Sequence, residues 1–492
     1  MIGLGALRVT LVALAIAFVM VPAVRAASDG KKEPKGEPPT ATIEEQLKRQ
    51  EAMLEKLQTM LVEQQAEITR LRGEVEAMRG GAVDAPVTAE TVDAVKAVEA
   101  VDAAPIAEAA PKQAAEDAVA KQVEKLTKTF GNLKISADMR FRYEGFTNQG
   151  FDGVADVAPR HRYRVRARAG LSGKINDHFD WGIRVATGGF NDPVSTNATL
   201  TDFFTRKPFG IDRAFVHFTT ATDPVNFDVY GGKFDYTWKR TPLTFDNDLQ
   251  PEGLSERLRF DLGDDTPLRG ITLTAWQLPF RERGVGADAY IYGGQVLTDW
   301  TWSENWSSSI SAAYHDYEQA NQIPPFTNVA PTLINAGLEG GTTNTVVINP
   351  VTKLPEFRSK FRILNVLTEH TYRGLHARFP VTLVLDFIHN TSAFNGERDG
   401  GVAILQVGRR REEGDLFFEY AYWRVEREAY PSVFMESDVI PTNSENHWIQ
   451  GSYMLDPKVE FAVKYFFEQR LRTDSPINRW LNRYQVDVIY SF

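Results

Sequence analysis

The sequence predicts an all-β transmembrane antiparallel barrel of about sixteen strands, preceded by an α-helical coiled coil. Three observations carry this. From Leu133 onward the residues alternate with a period of two; some strands oppose an apolar face with a row of arginines; and the connections alternate between short and long.

The first strand shows the alternation. Ile135, Ala137, Met139, Phe141 and Tyr143 share one face, against Ser136, Asp138, Arg140 and Arg142. The second is sharper: Tyr163, Val165, Ala167, Ala169 and Leu171 alternate with Arg162, Arg164, Arg166 and Arg168. Such a strand does not belong in a protein core, because four unpaired buried charges would be prohibitive. It suits a wall between lipid and a wet lumen. Similar segments lie at 133–144, 160–173, 178–187, 210–220, 225–235, 253–262, 270–279, 288–302, 306–317, 358–371, 379–389, 401–411, 414–427, 446–455, 458–468 and 480–492. Short connections such as Lys174–Asp177, Ala221–Pro224 and Asp456–Pro457 alternate with long ones at 145–159, 188–209, 236–252, 318–357, 428–445 and 469–479. In outer-membrane barrels the short turns are periplasmic and the long loops external. An even strand number then puts both ends of the barrel domain in the periplasm.

Bulk composition agrees. The chain has 492 residues, a formal net charge of −10 and no cysteine, with a mean hydropathy of −0.31. The acidic balance argues against nucleic acid as a partner. Without cysteine there is neither disulfide nor thiolate metal site. Barrel strands face lipid only at every second residue, so low mean hydropathy is expected of them.

The N-terminal third reads differently. Arg8 precedes an apolar run from Val9 to Val21, and Val24 and Ala26 supply small residues before a cleavage point after Ala26. Residues 1–26 are therefore expected to be a signal peptide. A polar, disordered lead follows at 27–41. Over 42–79, Leu47, Leu54, Leu61, Ile68 and Val75 recur every seven residues, with Ile43, Leu57, Leu71 and Met78 at the alternate position and Gln50 and Gln64 in its gaps. This is a periplasmic coiled coil of about five heptads, whose apolar seam implies association. The mixture of Leu with β-branched residues does not fix the number of strands in the coil. Residues 80–130, with Pro86, Pro105 and Pro111, read as an Ala/Pro-rich flexible tether ending in a short helix from Ala115 to about Phe130.

No catalytic motif is present: no phosphate-binding glycine loop, no G-x-S-x-G and no H-E-x-x-H. His161, His217, His315 and His447 fall in or beside strands without metal-ligand spacing. No enzyme activity and no cofactor are expected. The informative residues are charged. Strand parity places Arg140, Arg142, Arg162, Arg164, Arg166, Arg168 and Arg184 in the lumen; Arg257, Arg259, Arg358, Lys360 and Arg362 also oppose the apolar parity of their strands. The third external connection carries Asp246, Asp248 and Glu252.

At the C-terminus Tyr484, Val486, Val488, Tyr490 and Phe492 alternate with Gln485, Asp487, Ile489 and Ser491. A final strand ending on an aromatic residue resembles the signal read by the outer-membrane barrel assembly machinery, an expected partner together with outer-membrane lipid.

The stretch RHRYRVRARAGLSGKINDHFDWGIRVATG resembles the opening hairpin of a bacterial outer-membrane "putative porin" family, as do NDPVSTNATL, FGIDRAFVHF, the GGKF strand and DNDLQPEGL. The likeness is strong over 133–262, diffuse beyond, and returns at the last strand. It implies a passive outer-membrane diffusion channel of unspecified solute, general-porin-like in architecture. General porins are trimers, so a homotrimer is implied. In general porins the third loop folds into the barrel, which here would set Asp246, Asp248 and Glu252 against the arginine wall. The alternative is a wide lumen merely solvated by the arginines, with the loop outside. Two other functions remain open from sequence: a structural tether or spacer whose coiled coil contacts peptidoglycan, and a barrel enzyme.

Overall fold

The computed structural model describes residues 133–147, 159–200, 203–284, 286–326, 343–472 and 480–492. The expected signal peptide, lead, coiled coil and tether lie outside the described residues.

Sixteen strands follow in order: β1 (Lys134–Thr147), β2 (Arg160–Lys174), β3 (Phe179–Thr187), β4 (Phe209–Thr222), β5 (Val225–Lys233), β6 (Glu252–Asp261), β7 (Leu268–Arg281), β8 (Ala289–Ser303), β9 (Trp306–Glu318), β10 (Phe361–Tyr372), β11 (Val381–Asn390), β12 (Asp399–Gly408), β13 (Leu416–Val425), β14 (Ser444–Asp456), β15 (Val459–Arg470) and β16 (Leu481–Ser491). Each pairs antiparallel with its sequence neighbours, and β1 pairs with β16. Ala137 and Phe492 exchange two backbone hydrogen bonds, at 2.8 and 2.9 Å, across this seam. The sheet is a closed antiparallel barrel, which leaves no strand edge exposed. Every strand boundary lies within about three residues of its sequence expectation.

Short turns gather at one end; 223–224 and 304–305 are two residues each. The other end carries the long connections 148–159, 188–208, 234–251, 319–360 and 426–443. Two small features escaped the sequence reading. The two-residue strand Ala198–Thr199 folds back onto β2, which runs past the end of β3. A short hairpin, Val346–Ile348 with Pro355–Phe357, sits in the longest connection.

The faces of β1 and β2 follow parity. Phe141 and Tyr163 are each 48% exposed, whereas Arg142 and Arg164 are buried. A one-residue slip would reverse this. A spin label at Val165→Cys should therefore be relaxed by oxygen dissolved in lipid, and one at Arg164→Cys should not; the opposite pattern would refute the register.

Strands β10 to β14 depart from the simple rule. On β10, Leu364 and Val366 face outward at 49% and 46% exposure, yet Phe361, Ile363 and Leu367 on the inner face are almost wholly buried. Trp276, Ile388, Trp423 and Phe466 belong to the same buried interior cluster. An apolar inner wall is stable only if something covers it. The cover is the connection 234–251, through Phe234, Trp238, Leu243, Phe245 and Leu249, joined by Tyr430, Met435 and Val439 from 426–443.

Candidate functional site: an arginine wall facing two inward loops

Register decides the wall's charge pattern. Between β1 and β2, Asp138 lies opposite Arg168 and Glu144 opposite Arg162, while Arg140 faces Arg166 and Arg142 faces Arg164. Like charges directly opposite are unfavourable, so the middle of the wall needs acid from elsewhere. β16 supplies part of it, since Asp487 lies opposite Arg142. Arg142 grips Asp487 through Nε and Nη2, both at 2.8 Å, and donates from Nη1 to Asp438 Oδ2 at 3.0 Å. Glu144 is wholly buried and accepts from Arg162, from Arg483 Nε at 2.7 Å and from Gln485 Nε2 at 2.9 Å. Asp138 accepts from Arg166 Nε at 3.1 Å and Arg168 Nε at 2.7 Å. Arg184 donates to Asp212 at 2.5 Å.

Two arginines are less compensated. Arg164 approaches Glu144 only to 3.9 Å and donates to Ser195 Oγ at 3.1 Å. Arg140 donates to Asn197 Oδ1 at 2.6 Å, and among the described residues it forms no ion pair with a carboxylate. Ser195 and Asn197 belong to the connection 188–208, which meets this part of the wall with neutral hydrogen-bond acceptors and brings Asp192 within electrostatic reach of Arg164.

The third long connection crosses to the far wall. Trp238 stacks on Trp276 of β7 at 4.3 Å. Lys239 N donates to Gln295 Oε1 of β8 at 2.8 Å, and Lys239 Nζ pairs with Glu369 of β10 at 3.1 Å. Thr241 Oγ1 donates to Asp386 of β11 at 2.5 Å. The connection 426–443 lies alongside: Asp246 N donates to Phe434 O at 2.7 Å and Glu436 N to Pro242 O at 3.0 Å.

The three acids named for this loop have different fates. Asp248 approaches the arginines, with Arg168 at 3.6 Å and Arg166 at 3.9 Å, and its other oxygen accepts from Thr196 N and Oγ1. Asp246 is buried and held by the backbone N–H groups of Asp248 and Ser437, at 2.7 and 2.8 Å. Burial, reinforced by Glu436 and Asp248, pushes its carboxyl well above the usual range. Glu252 requires correction. It opens β6 on the outer face, pairs with Lys233 at 2.6 Å and is not brought to the arginine wall.

Outside β1–β3, Arg257 and Arg259 do point inward, onto Asp228 at 2.9 Å and Asp261 at 2.7 Å. Strand ten is a second correction. Arg362 shares the outward parity of Leu364 and pairs with Asp316 at 3.4 Å. Arg358 and Lys360 precede the strand, and Arg358 lies over the Phe394 ring at 4.2 Å. Parity misleads here because the apolar face opposite Arg362, with Phe361, Ile363 and Leu367, is the inner one, and the outer face with Leu364 and Val366 is equally apolar. His217 sits inward between Asp180 and Asp228, at 2.9 and 3.1 Å, and His315 is ringed by Phe245, Trp276 and Tyr430. His161 and His447 lie outward against Tyr143 and Tyr420. On β16, Tyr484, Val486, Val488, Tyr490 and Phe492 share the outward parity, and Val488, Tyr490 and Phe492 are between 42% and 55% exposed.

Sequence reading missed the acids that neutralise the wall. Asp138, Glu144 and Asp487 carry the parity of lumen residues and could have been found by that signal, as could Arg483, a further arginine of the wall. Asp438 could not, because it arrives on a connection whose path is set only by packing. Burial pushes Asp438 up, but Arg483 and Arg142 outweigh this and hold it well below the usual carboxylate range.

A closed sixteen-strand barrel with charged side chains facing inward and loops folded against its inner wall is the architecture of an outer-membrane channel. The family described as "Putative porin" matches residues 154–490, and the chain belongs to that family, which marks it as a channel rather than an enzyme of the outer membrane. Comparison with curated proteins finds no match. Among solved structures, the high-pH structure of Pseudomonas putida OprB is similar at 10% identity and a TM-score of 0.47, covering 76% of this chain and 97% of that one. A triple mutant of the Rhodopseudomonas blastica porin is similar at 11% identity and a TM-score of 0.39, covering 73% and 100%.

Proposed function

We propose that the chain forms a passive diffusion pore for small hydrophilic solutes with a mild preference for anions, moved down their gradient without cofactor or covalent step. The observation that carries this is the incomplete compensation of Arg140 and Arg164 beside a loop whose Asp248 comes no nearer than 3.6 Å to Arg168 and 3.9 Å to Arg166. At 4 Å a unit charge pair is worth about 1 kcal/mol in open water and about 4 kcal/mol at an effective dielectric near 20. A wet pore lies near the lower figure, so the effect is bias, not exclusion. Arg140, Arg142, Arg162, Arg164, Arg166, Arg168, Arg184 and Asp248 would line the narrow zone, with Asp246 behind the loop surface.

Reversal potentials under a potassium chloride gradient test the reading. Wild type should favour chloride modestly, and Asp248→Asn should strengthen the preference. Arg140→Ala with Arg164→Ala should move it toward potassium. High salt should weaken all three, since the screening length falls to about 3 Å at 1 M. A firm potassium preference, unmoved by the arginine replacements, would refute it.

The sequence features outside the described residues fit an exported protein with a periplasmic coiled-coil arm, whose heptad seam supports association without fixing its number; a homotrimer is the economical choice because general porins are trimers. Chemical cross-linking in mild detergent is expected to yield trimers; monomer alone would refute that assembly. The same heptads favour a second role as a cell-wall spacer. Deleting residues 42–79 separates the two, because conductance would survive and envelope attachment would not.

A further inference from the structure

A cavity of about 230 Å³ lies at the long-loop rim, lined by Glu397, Arg424, Glu426, Arg427, Asn443, Glu445, Gln469, Arg470, Leu471 and Arg472. It lies where the upper ends of β13, β14 and β15 meet the connection before β12, away from the arginine wall. Arg424, Glu445 and Gln469 form one outward-facing row across the three strands. The next row toward the membrane is Tyr422, His447 and Phe467. Tyr420 lies a step further down, and Trp480 packs its ring against His447 at 5.8 Å. Outward aromatic girdles mark the membrane–water interface of such barrels, so the cavity opens at headgroup height on the side facing the cell exterior.

Two of its guanidinium groups, those of Arg424 and Arg427, are only loosely engaged. Arg424, with a side chain 53% exposed, meets Glu445 at 4.0 Å, and Arg427 meets Glu397 at 3.9 Å. Both separations exceed hydrogen-bond reach. Glu397 is shared, since Arg472 also binds it. Glu426 spends one oxygen on the backbone N–H of Asp399 at 3.0 Å, and Tyr422 donates to Glu445 at 3.4 Å. The acids therefore position the arginines while leaving forked N–H donors free to take a tetrahedral oxyanion, for which arginine has the matching geometry.

We propose that this rim cavity binds the phosphate of an outer-leaflet lipid headgroup, with Arg424 and Arg427 as its principal donors. The aromatic row beneath it takes the adjoining acyl region. Lipid is favoured over a free ion because the outward row that holds Arg424 continues directly into the lipid-facing girdle, so a bound headgroup keeps its chain in the bilayer.

The test uses the purified full chain in detergent, with phosphatidic acid, phosphatidylcholine or inorganic phosphate added at equal concentration. Retained lipid is counted by native mass spectrometry and thermal unfolding is followed in parallel. Phosphatidic acid should be retained and should raise the unfolding midpoint. Arg424→Gln with Arg427→Gln should weaken retention about tenfold or more, the scale of losing charge-assisted hydrogen bonds, with single-channel conductance unchanged. The milder Arg424→Gln alone should give a partial loss, and guards against a folding defect in the double variant. Equal stabilisation by inorganic phosphate would overturn the lipid assignment. Undiminished retention by the double variant would overturn the site.

Discussion

Glu144→Ala is expected to be the most damaging single change in the barrel wall, at about 3–5 kcal/mol. Glu144 is wholly buried and accepts from Arg162, Arg483 and Gln485. Removing it leaves the Arg162 guanidinium without its carboxylate and leaves Arg483 with Asp438 alone. It also removes a tie across the closing seam, because Arg483 and Gln485 lie on β16 and Glu144 on β1. The urea midpoint of the detergent-solubilised barrel should fall sharply, with the slope unchanged. Glu144→Gln should fall less, since the amide retains one acceptor. A midpoint equal to wild type in the alanine variant would show that solvent or Asp438 carries these arginines instead.

Trp238→Ala is expected to release the third long connection while leaving the barrel closed. Trp238 is 5% exposed and packs on Trp276 at 4.3 Å and Phe245 at 5.7 Å. Truncating a buried tryptophan costs about 3–5 kcal/mol, a shift of about a hundredfold or more between docked and released loop. Single-channel conductance should rise and become noisier. Trypsin should gain access at Lys239 and Arg240, whose segment is held in wild type by Gln295, Glu369 and Phe245 O. If conductance and cleavage match wild type, the connection is held by its hydrogen bonds to Asp386 and to 426–443, not by aromatic packing.

The two experiments probe different links. The first concerns charge inside the wall, where a partner's loss leaves an unpaired ion. The second concerns apolar cover, where a partner's loss leaves a void and a mobile loop. The ladder of sixteen strands depends on neither, because its backbone hydrogen bonds run between neighbours around a closed circuit.

What the sequence by itself determined is the local pattern. Alternation is a property of adjacent residues, so Arg162, Arg164, Arg166 and Arg168 declare one face of β2 without reference to anything distant. Strand number, the alternating connections and the closing aromatic strand follow from the same signal. The tertiary structure decided what those residues meet. Asp487 reaches Arg142 across a separation of 345 residues, and Asp438 reaches it across 296; periodicity turns Asp487 inward but encodes neither contact. The same limit explains Arg362 and Glu252. On β10, apolar residues occupy both faces because Trp238, Phe245 and Tyr430 arrive from remote loops to cover the inner one, and only that cover reveals which face is lipid's. Alternation distinguishes two faces of a strand, but a folded-in loop makes an inner face as apolar as an outer one, and then only packing tells them apart.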